Sequence, residues 1–229
     1  MFELRSYQQE AIQKARISLS KGNKRIALTL ATGSGKSPIA REIIKLFREK
    51  NPKGKIGYFT FRTVLINQMK KTLDGLDVEI DTLQAKGKSE TELYDLVIID
   101  EVHYASDSKL QNNIKSKYII GLTATPIDSY GNALEFDEIL DIIQLVDLIN
   151  LGYASPVKVL STSKVDTSKL KSIGGDFSQK DSYELMSKSQ IKKDIVEVYK
   201  KYATGLKTIV YAVNIKHCEE LLKEYKMLV

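Results

Sequence analysis

A glycine-rich run near the amino terminus has the residue types that phosphate binding requires. The run reads Leu30-Ala31-Thr32-Gly33-Ser34-Gly35-Lys36-Ser37. Glycines let backbone N–H groups approach phosphates, a lysine reaches the terminal phosphates, and a hydroxyl side chain holds Mg²⁺. The usual pattern has glycine where this chain has Leu30, but an apolar run precedes the loop and a helical pattern follows it. We therefore predict a nucleoside-triphosphate site. The predicted contacts are Thr32, Gly33, Ser34, Gly35, Lys36 and Ser37.

An acidic pair follows a second apolar run. Asp100 and Glu101 come directly after the strand-like residues 95–99. We predict that Asp100 reaches the Mg²⁺ and that Glu101 orients or deprotonates an attacking water. Alone, such a pair is usually an exposed loop, but together with the glycine-rich run it indicates metal-assisted hydrolysis. The predicted catalytic residues are Lys36, Asp100 and Glu101, and the predicted Mg²⁺ ligands are Ser37 and Asp100.

Short apolar runs alternate with helical patterns along the first 125 residues. Runs that are apolar on both faces and alternate with helices are typical of a parallel sheet covered on both sides. We therefore predict an α/β fold with a mainly parallel sheet flanked by helices. The predicted helices are 6–21 and 36–50, and the predicted strands are 25–30, 55–61, 95–100 and 117–122.

The composition and the apolar pattern of the sequence change after Gly152. Residues 157–161 have the pattern of one more strand, and residues 161–189 are rich in Ser, Lys and Asp, which is typical of a linker or insertion. A helix at 190–202, a strand at 208–213 and a helix at 215–226 then begin a second α/β unit. The predicted organisation is a first domain at 1–160, a linker at 161–189 and an incomplete second domain at 190–229.

The amino-acid composition bears on the partner, the membrane association and the compartment of the protein. The formal net charge of +6 fits a polyanionic partner, although a solvated lysine surface would give the same number. No apolar run approaches the roughly 18 residues of a membrane span, so we predict no membrane association. The single cysteine, Cys218, fits a reducing cytoplasm, or the host cytoplasm for a viral protein. Cys218 and its neighbour His217 lack a partner cluster in the sequence, so we predict no metal site there.

Two further motifs carry a resemblance to a known family. Leu4-Arg5-Ser6-Tyr7-Gln8 opens the chain, and Gly121-Leu122-Thr123-Ala124-Thr125-Pro126 follows a strand-like run. With the glycine-rich loop and the Asp-Glu-Val-His element, they resemble superfamily 2 helicases of the DExH type, in order and spacing, over nearly the whole chain. The resemblance is greatest to the DNA-directed branch of excision-repair, phage branch-migration and restriction-motor helicases. It implies two RecA-like domains with ATP between them.

The resemblance also implies roles for individual residues. Gln8 would recognise adenine with support from Arg5, and the Thr123 and Thr125 hydroxyls would couple hydrolysis to domain movement, with His103 in the same network. Residues 61–68 resemble an element that lies along nucleic acid, although the start of an ordinary amphipathic helix would show the same sequence pattern. Residues 82–84 resemble a second such element, for which a plain turn is the alternative. The implied nucleic-acid contacts are Arg62, Gln68, Thr82 and Gln84.

The function expected from this resemblance is an ATP-dependent helicase or translocase that acts on nucleic acid, with DNA preferred. The family's arginine finger belongs to a part of the second domain that this sequence does not contain, so we expect residues 1–229 to bind ATP and hydrolyse it slowly. A nucleotide-gated clamp and an RNA helicase remain as alternatives. A small-molecule kinase is a third, but the Thr-Ala-Thr run argues against it.

Overall fold

The computed structural model describes residues 3–83, 93–105, 114–128, 131–159, 166–168, 170–173 and 176–226. The chain divides into two compact units, Met1–Val157 and Lys158–Val229. Within the described residues, no helix has both the length and the apolar character needed to cross a membrane.

A six-stranded parallel sheet forms the centre of the first unit, which confirms the predicted α/β fold. Its strands are β1 (Arg25–Leu30), β2 (Ile56–Thr60), β3 (Glu79–Thr82), β4 (Leu93–Asp100), β5 (Lys115–Thr123) and β6 (Glu138–Ile143). The helices are α1 (Ser6–Ser20), α2 (Lys36–Lys50), α3 (Thr63–Thr72) and α4 (Leu145–Asn150), and a 3₁₀ turn spans Val102–Ala105. The spatial order is β3-β2-β4-β5-β1-β6, so β1 and β4 both flank β5.

Both faces of this sheet are buried. In β4, Leu96 and Ile98 belong to a core that includes residues of α1 and α2, whereas Val97 and Ile99 belong to a second core on the opposite face. Successive side chains of a strand point to opposite faces, so a strand with two covered faces needs an unbroken apolar run. This requirement explains why the strands could be recognised in the sequence.

The predicted boundaries of the inner strands and of the first two helices agree closely with the structure. The strands at the two edges of the sheet were not predicted. The strand at 25–30 and the helix at 36–50 have the bounds expected. The outer strands β3 and β6 were missed, as was α4. These two strands are only half-buried, because each has a neighbour on one side only, and their sequences lack an unbroken apolar run. Residues 157–159 form no strand, and residues 160–161 lie outside the described chain.

The second unit differs from the prediction in two places. Its described residues contain a short antiparallel pair, β7 (Ser172–Ile173) and β8 (Asp176–Phe177), and three helices, α5 (Gln179–Met186), α6 (Ser189–Tyr202) and α7 (Ile215–Lys226). Part of the expected linker is therefore helical. The strand expected at 208–213 is not formed, because no strand among the described residues of this unit lies beside it to pair with.

Candidate nucleotide site

The glycine-rich loop lies between the carboxyl end of β1 and the start of α2. Gly33 and Gly35 have φ angles of +85° and +83°, a left-handed conformation that favours glycine. A Cβ atom at Gly35 would lie 2.5 Å from Nε2 of Gln8. Gly35 is therefore required both by its backbone angle and by the side chain packed against it. Thr32 is exposed, Ser37 is half-buried, and Ser34 is fully buried.

The loop lysine meets the acidic pair directly. Nζ of Lys36 lies 2.6 Å from Oε1 of Glu101, and both side chains are largely buried. Glu101 has a φ of +50°, which is unusual for a residue with a side chain and stores backbone strain of roughly 1–3 kcal/mol. The structure thus brings the two predicted catalytic elements together, even though 65 positions separate them in sequence.

The other carboxylate of the pair has a different environment. Asp100 is 8% exposed and forms no salt bridge with any described residue. Burial raises its pKa above the ordinary value, and the neighbouring Tyr58 hydroxyl and Lys36 ammonium oppose that shift. A buried carboxylate without a paired cation is stabilised when a cation binds beside it. The residues present therefore fit the predicted Mg²⁺ site, with Asp100 and the Ser37 hydroxyl as the oxygen donors.

A polar chain leads from Glu101 to the threonine motif at the end of β5. Nδ1 of His103 lies 3.5 Å from Oε2 of Glu101 and 2.9 Å from Oγ1 of Thr123. The Thr123 hydroxyl donates to the Thr125 carbonyl at 2.7 Å and accepts from the Thr125 amide at 3.0 Å. Burial lowers the pKa of His103, which favours the neutral imidazole. His103 and Thr123 are thus connected to the acidic pair by a series of side-chain contacts, and Thr125 joins this series through its backbone amide and carbonyl.

The amino-terminal motif packs against the glycine-rich loop. The Gln8 amide donates to the Ser34 carbonyl at 2.9 Å, and the Tyr7 hydroxyl donates to the same carbonyl at 2.7 Å. Oε1 of Gln8 accepts from the Arg5 amide at 2.9 Å, and the Arg5 guanidinium donates to the Tyr7 hydroxyl at 3.0 Å. The residues that the resemblance assigned to adenine recognition therefore contact the loop predicted to hold the phosphates.

Arg62 and Thr82, two of the predicted nucleic-acid contacts, lie at the same edge of the sheet as the loop but away from it. Arg62 lies two residues after the end of β2 and is exposed, as is Gln68 within α3. Thr82 ends β3 beside Thr60, the last residue of β2. In the sheet order, β2 lies three strands from β1, which leads into the loop. Gln84 lies outside the described residues.

Three tyrosines at this site were not assigned a role from the sequence. Tyr7 was given no role, although its place inside the Arg-Ser-Tyr-Gln motif was an available signal. Tyr58 faces Asp100 from β2, and burial and that carboxylate raise its pKa well above the ordinary value. Tyr153 lies against Arg5. No pattern in the sequence marks Tyr58 or Tyr153, because only the folded sheet brings them to the site.

Comparison with known proteins identifies related sequences. Residues 1–82 and 74–128 match the family described as the type III restriction enzyme, res subunit. A 51.5 kDa protein of a Lactococcus phage is 30% identical over 206 residues, which cover 85% of this chain and 45% of that protein. The candidate ATP-dependent helicase IRC3 of Saccharomyces cerevisiae is 26% identical over 268 residues, covering 97% of this chain and 39% of that protein. The chain thus spans less than half the length of these curated relatives.

A solved structure supports the fold. The type ISP restriction-modification enzyme LlaGI, determined as a nuclease-deletion mutant with a DNA substrate mimic, matches 99% of this chain and 26% of its own, with a TM-score of 0.55 and 17% identity. At this level of identity the likeness concerns the fold, and it agrees with the predicted RecA-like architecture.

Proposed function

The chain belongs to the family of the type III restriction enzyme res subunit, which confirms its resemblance to superfamily 2 helicases, and on this premise we propose that it is the ATP-binding part of a DNA translocase or helicase. ATP would bind at the loop of residues 30–37, and the cycle of ATP binding and hydrolysis would alter the grip on DNA. The cytoplasm is the proposed compartment, on the basis of the single cysteine.

The observation that carries this proposal is the continuous series of polar contacts from the glycine-rich loop to the threonine motif. It runs from Lys36 to Glu101, then through His103 and Thr123 to Thr125. A phosphate-binding protein without a motor function needs only the loop and the acidic pair. A series of hydroxyl and imidazole groups that continues to another strand end can change partners when the phosphates change.

The residues of the site have distinct proposed tasks. Lys36 leaves Glu101 to bind the β and γ phosphates, and Glu101, released from that ion pair, orients the attacking water and accepts its proton. Asp100 and Ser37 would hold Mg²⁺, which would supply positive charge to neutralise the phosphates. The helix α2 directs its amino-terminal backbone amides toward the phosphates. Gln8 and Arg5 complete the site on the adenine side.

DNA is the proposed polymer. The res-subunit family and the DNA mimic bound to LlaGI favour DNA over RNA. Arg62 and Gln68 provide exposed groups at the sheet edge that can donate to phosphate oxygens, and the net charge of +6 favours a polyanion. Thr82 and Gln84 are proposed as further contacts on the basis of the family resemblance.

A binding measurement tests the nucleotide site first. Mg²⁺-ATP should raise the thermal midpoint of the full chain, with about 2.7 kcal/mol of stabilisation at roughly 100 times the Kd. Lys36→Ala should remove this shift. It should also lower the nucleotide-free midpoint, because it leaves the partly buried Glu101 carboxylate without its cation. An unchanged midpoint of the wild-type chain at millimolar nucleotide would refute the site.

The motor is tested by DNA-dependent hydrolysis. We propose that residues 1–229 alone hydrolyse ATP slowly, so the measured quantity is the ratio of rates with and without single- or double-stranded DNA. Thr123→Val keeps the shape of the side chain but removes its hydroxyl. It should retain the ATP-induced thermal shift and lose the stimulation by DNA. Nucleotide-dependent DNA binding without any stimulated hydrolysis, in this chain and in a longer protein containing it, would favour the clamp.

A further inference from the structure

Arg5 lies against an aromatic ring from a distant part of the chain. Its Cζ atom is 3.9 Å from the centre of the Tyr153 ring, a distance typical of a stacked cation–π pair. Tyr153 is 44% exposed and Arg5 is also exposed, so the pair lies at the surface and not in the core. The ring covers one face of the guanidinium. Because Arg5 is exposed, a ligand can approach the guanidinium from its opposite face.

The backbone at the end of α4 fixes the position of Tyr153. Gly152 has a φ of +74°, its amide donates to the Ile149 carbonyl at 3.0 Å, and the Tyr153 amide donates to the Leu148 carbonyl at 2.8 Å. These two bonds with a left-handed glycine form a Schellman motif, which fixes the direction in which the chain leaves a helix. Leu148 is fully buried and anchors the helix to the core. Tyr153 is therefore held by a defined turn.

Arg5 is in turn connected to the phosphate-binding loop. Its guanidinium donates to the Tyr7 hydroxyl at 3.0 Å, and that hydroxyl donates to the Ser34 carbonyl at 2.7 Å. The Tyr153 and Tyr7 rings also pack together, with centres 5.9 Å apart. The Arg5 side chain is thus restrained from two directions, by a ring on its face and by a hydroxyl at its edge, beside the loop.

We propose that Tyr153 is a positioning residue for the part of the nucleotide site that binds the base. It holds the Arg5 guanidinium flat, so that a purine base can stack on the open face while its triphosphate occupies the loop. Guanidinium planes stack well on aromatic bases, and a guanidinium that is already ordered loses less entropy when the base arrives. This inference rests on the proposed ATP site and adds a residue about 120 positions away from the loop.

The experiment separates binding of the base from binding of the phosphates. Dissociation constants of the full chain for Mg²⁺-ATP and for Mg²⁺-tripolyphosphate, which lacks a base, are measured by calorimetry. Tyr153→Leu should weaken ATP binding about threefold to thirtyfold, the range of a cation–π contact, and leave tripolyphosphate unchanged. Tyr153→Phe keeps the aromatic face and should bind ATP like the wild type.

A second variant tests the same contact from the other side. Arg5→Lys keeps the charge but loses the flat face, and it should weaken ATP binding as Tyr153→Leu does. The double variant should be no weaker than either single one, since the two residues act through one contact. If either single variant leaves the ATP constant unchanged, or weakens ATP and tripolyphosphate equally, the inference is overturned. Failure of the wild-type chain to bind either ligand would instead overturn the proposed function.

Discussion

At the scale of single residues, the neighbouring carboxylates of the site have different surroundings. Glu101 is neutralised by the Lys36 ammonium at 2.6 Å, whereas burial disfavours the charge on Asp100. Catalytic sites often keep groups that are unfavourable for folding, because those groups become favourable once the ligand is bound. Burial of the Asp100 carboxylate therefore lowers the stability of the nucleotide-free protein, and a bound cation would offset this loss.

Replacement of Asp100 by Asn should stabilise the nucleotide-free protein at neutral pH. The raised pKa means that folded Asp100 stays protonated while the unfolded chain ionises. The free energy of unfolding therefore falls as the pH rises from the unfolded pKa through the folded one, and the full penalty persists above that pH. Asp100→Asn lacks this penalty, so its advantage in thermal midpoint should be absent near pH 4, at the ordinary Asp pKa, and present near pH 7.

Melting curves across this pH range, without nucleotide or divalent cation, provide the measurement. The same variant should lose the additional stabilisation that Mg²⁺ gives to ATP binding. A variant that melts below the wild type at every pH would mean that the charged form of Asp100 is favourable in the fold, contrary to the direction of its pKa shift.

At the scale of secondary structure, the sequence was informative where burial imposes a simple pattern. The loop of residues 30–37 and the pair at 100–101 could be predicted, because each follows a strand that is buried on both faces. The outer strands β3 and β6 could not, because half-buried strands alternate polar and apolar residues irregularly. Tyr153 was beyond sequence reasoning, since its contact with Arg5 arises only when the turn after α4 meets the start of α1 in the folded chain.

A glycine in β5 provides a test of packing at this scale. A Cβ atom at Gly121 would lie 2.7 Å from Cγ1 of Val102 and 3.0 Å from Cζ of Phe136. Val102 is fully buried and directly follows Glu101. Gly121→Ala should therefore lower the free energy of unfolding by about 1–3 kcal/mol, the usual cost of an overpacked core. It should also weaken ATP hydrolysis through displacement of Glu101.

Urea unfolding of a double-variant cycle measures this effect. Val102→Ala removes Cγ1, the atom that the new Cβ would approach most closely, so Gly121→Ala should cost less in that background than in the wild type. Equal costs in the two backgrounds would show that the added methyl group is accommodated elsewhere, and that Gly121 is not required by contact with Val102.

At the scale of the whole molecule, the residues assigned to the nucleotide site belong to one compact unit. They lie between Arg5 and Tyr153, within Met1–Val157, and this unit has a six-stranded sheet with an apolar core on each face. The described residues of the second unit contain helices and one short strand pair, and residues 208–213 there have no strand to pair with. Nucleotide binding and any response of the second unit should therefore be separable.

A fragment that ends at Val157 should fold and keep the ATP-induced rise in thermal midpoint. Its two cores and its complete loop, acidic pair and Arg5–Tyr153 contact are all retained, so its Kd for Mg²⁺-ATP should lie within about threefold of that of the full chain, a difference below roughly 1 kcal/mol. Lys36→Ala in the same fragment is the control and should remove the rise. If the fragment folds but binds ATP at least tenfold more weakly, residues after 157 contribute directly to the site, and the proposed nucleotide contacts are incomplete.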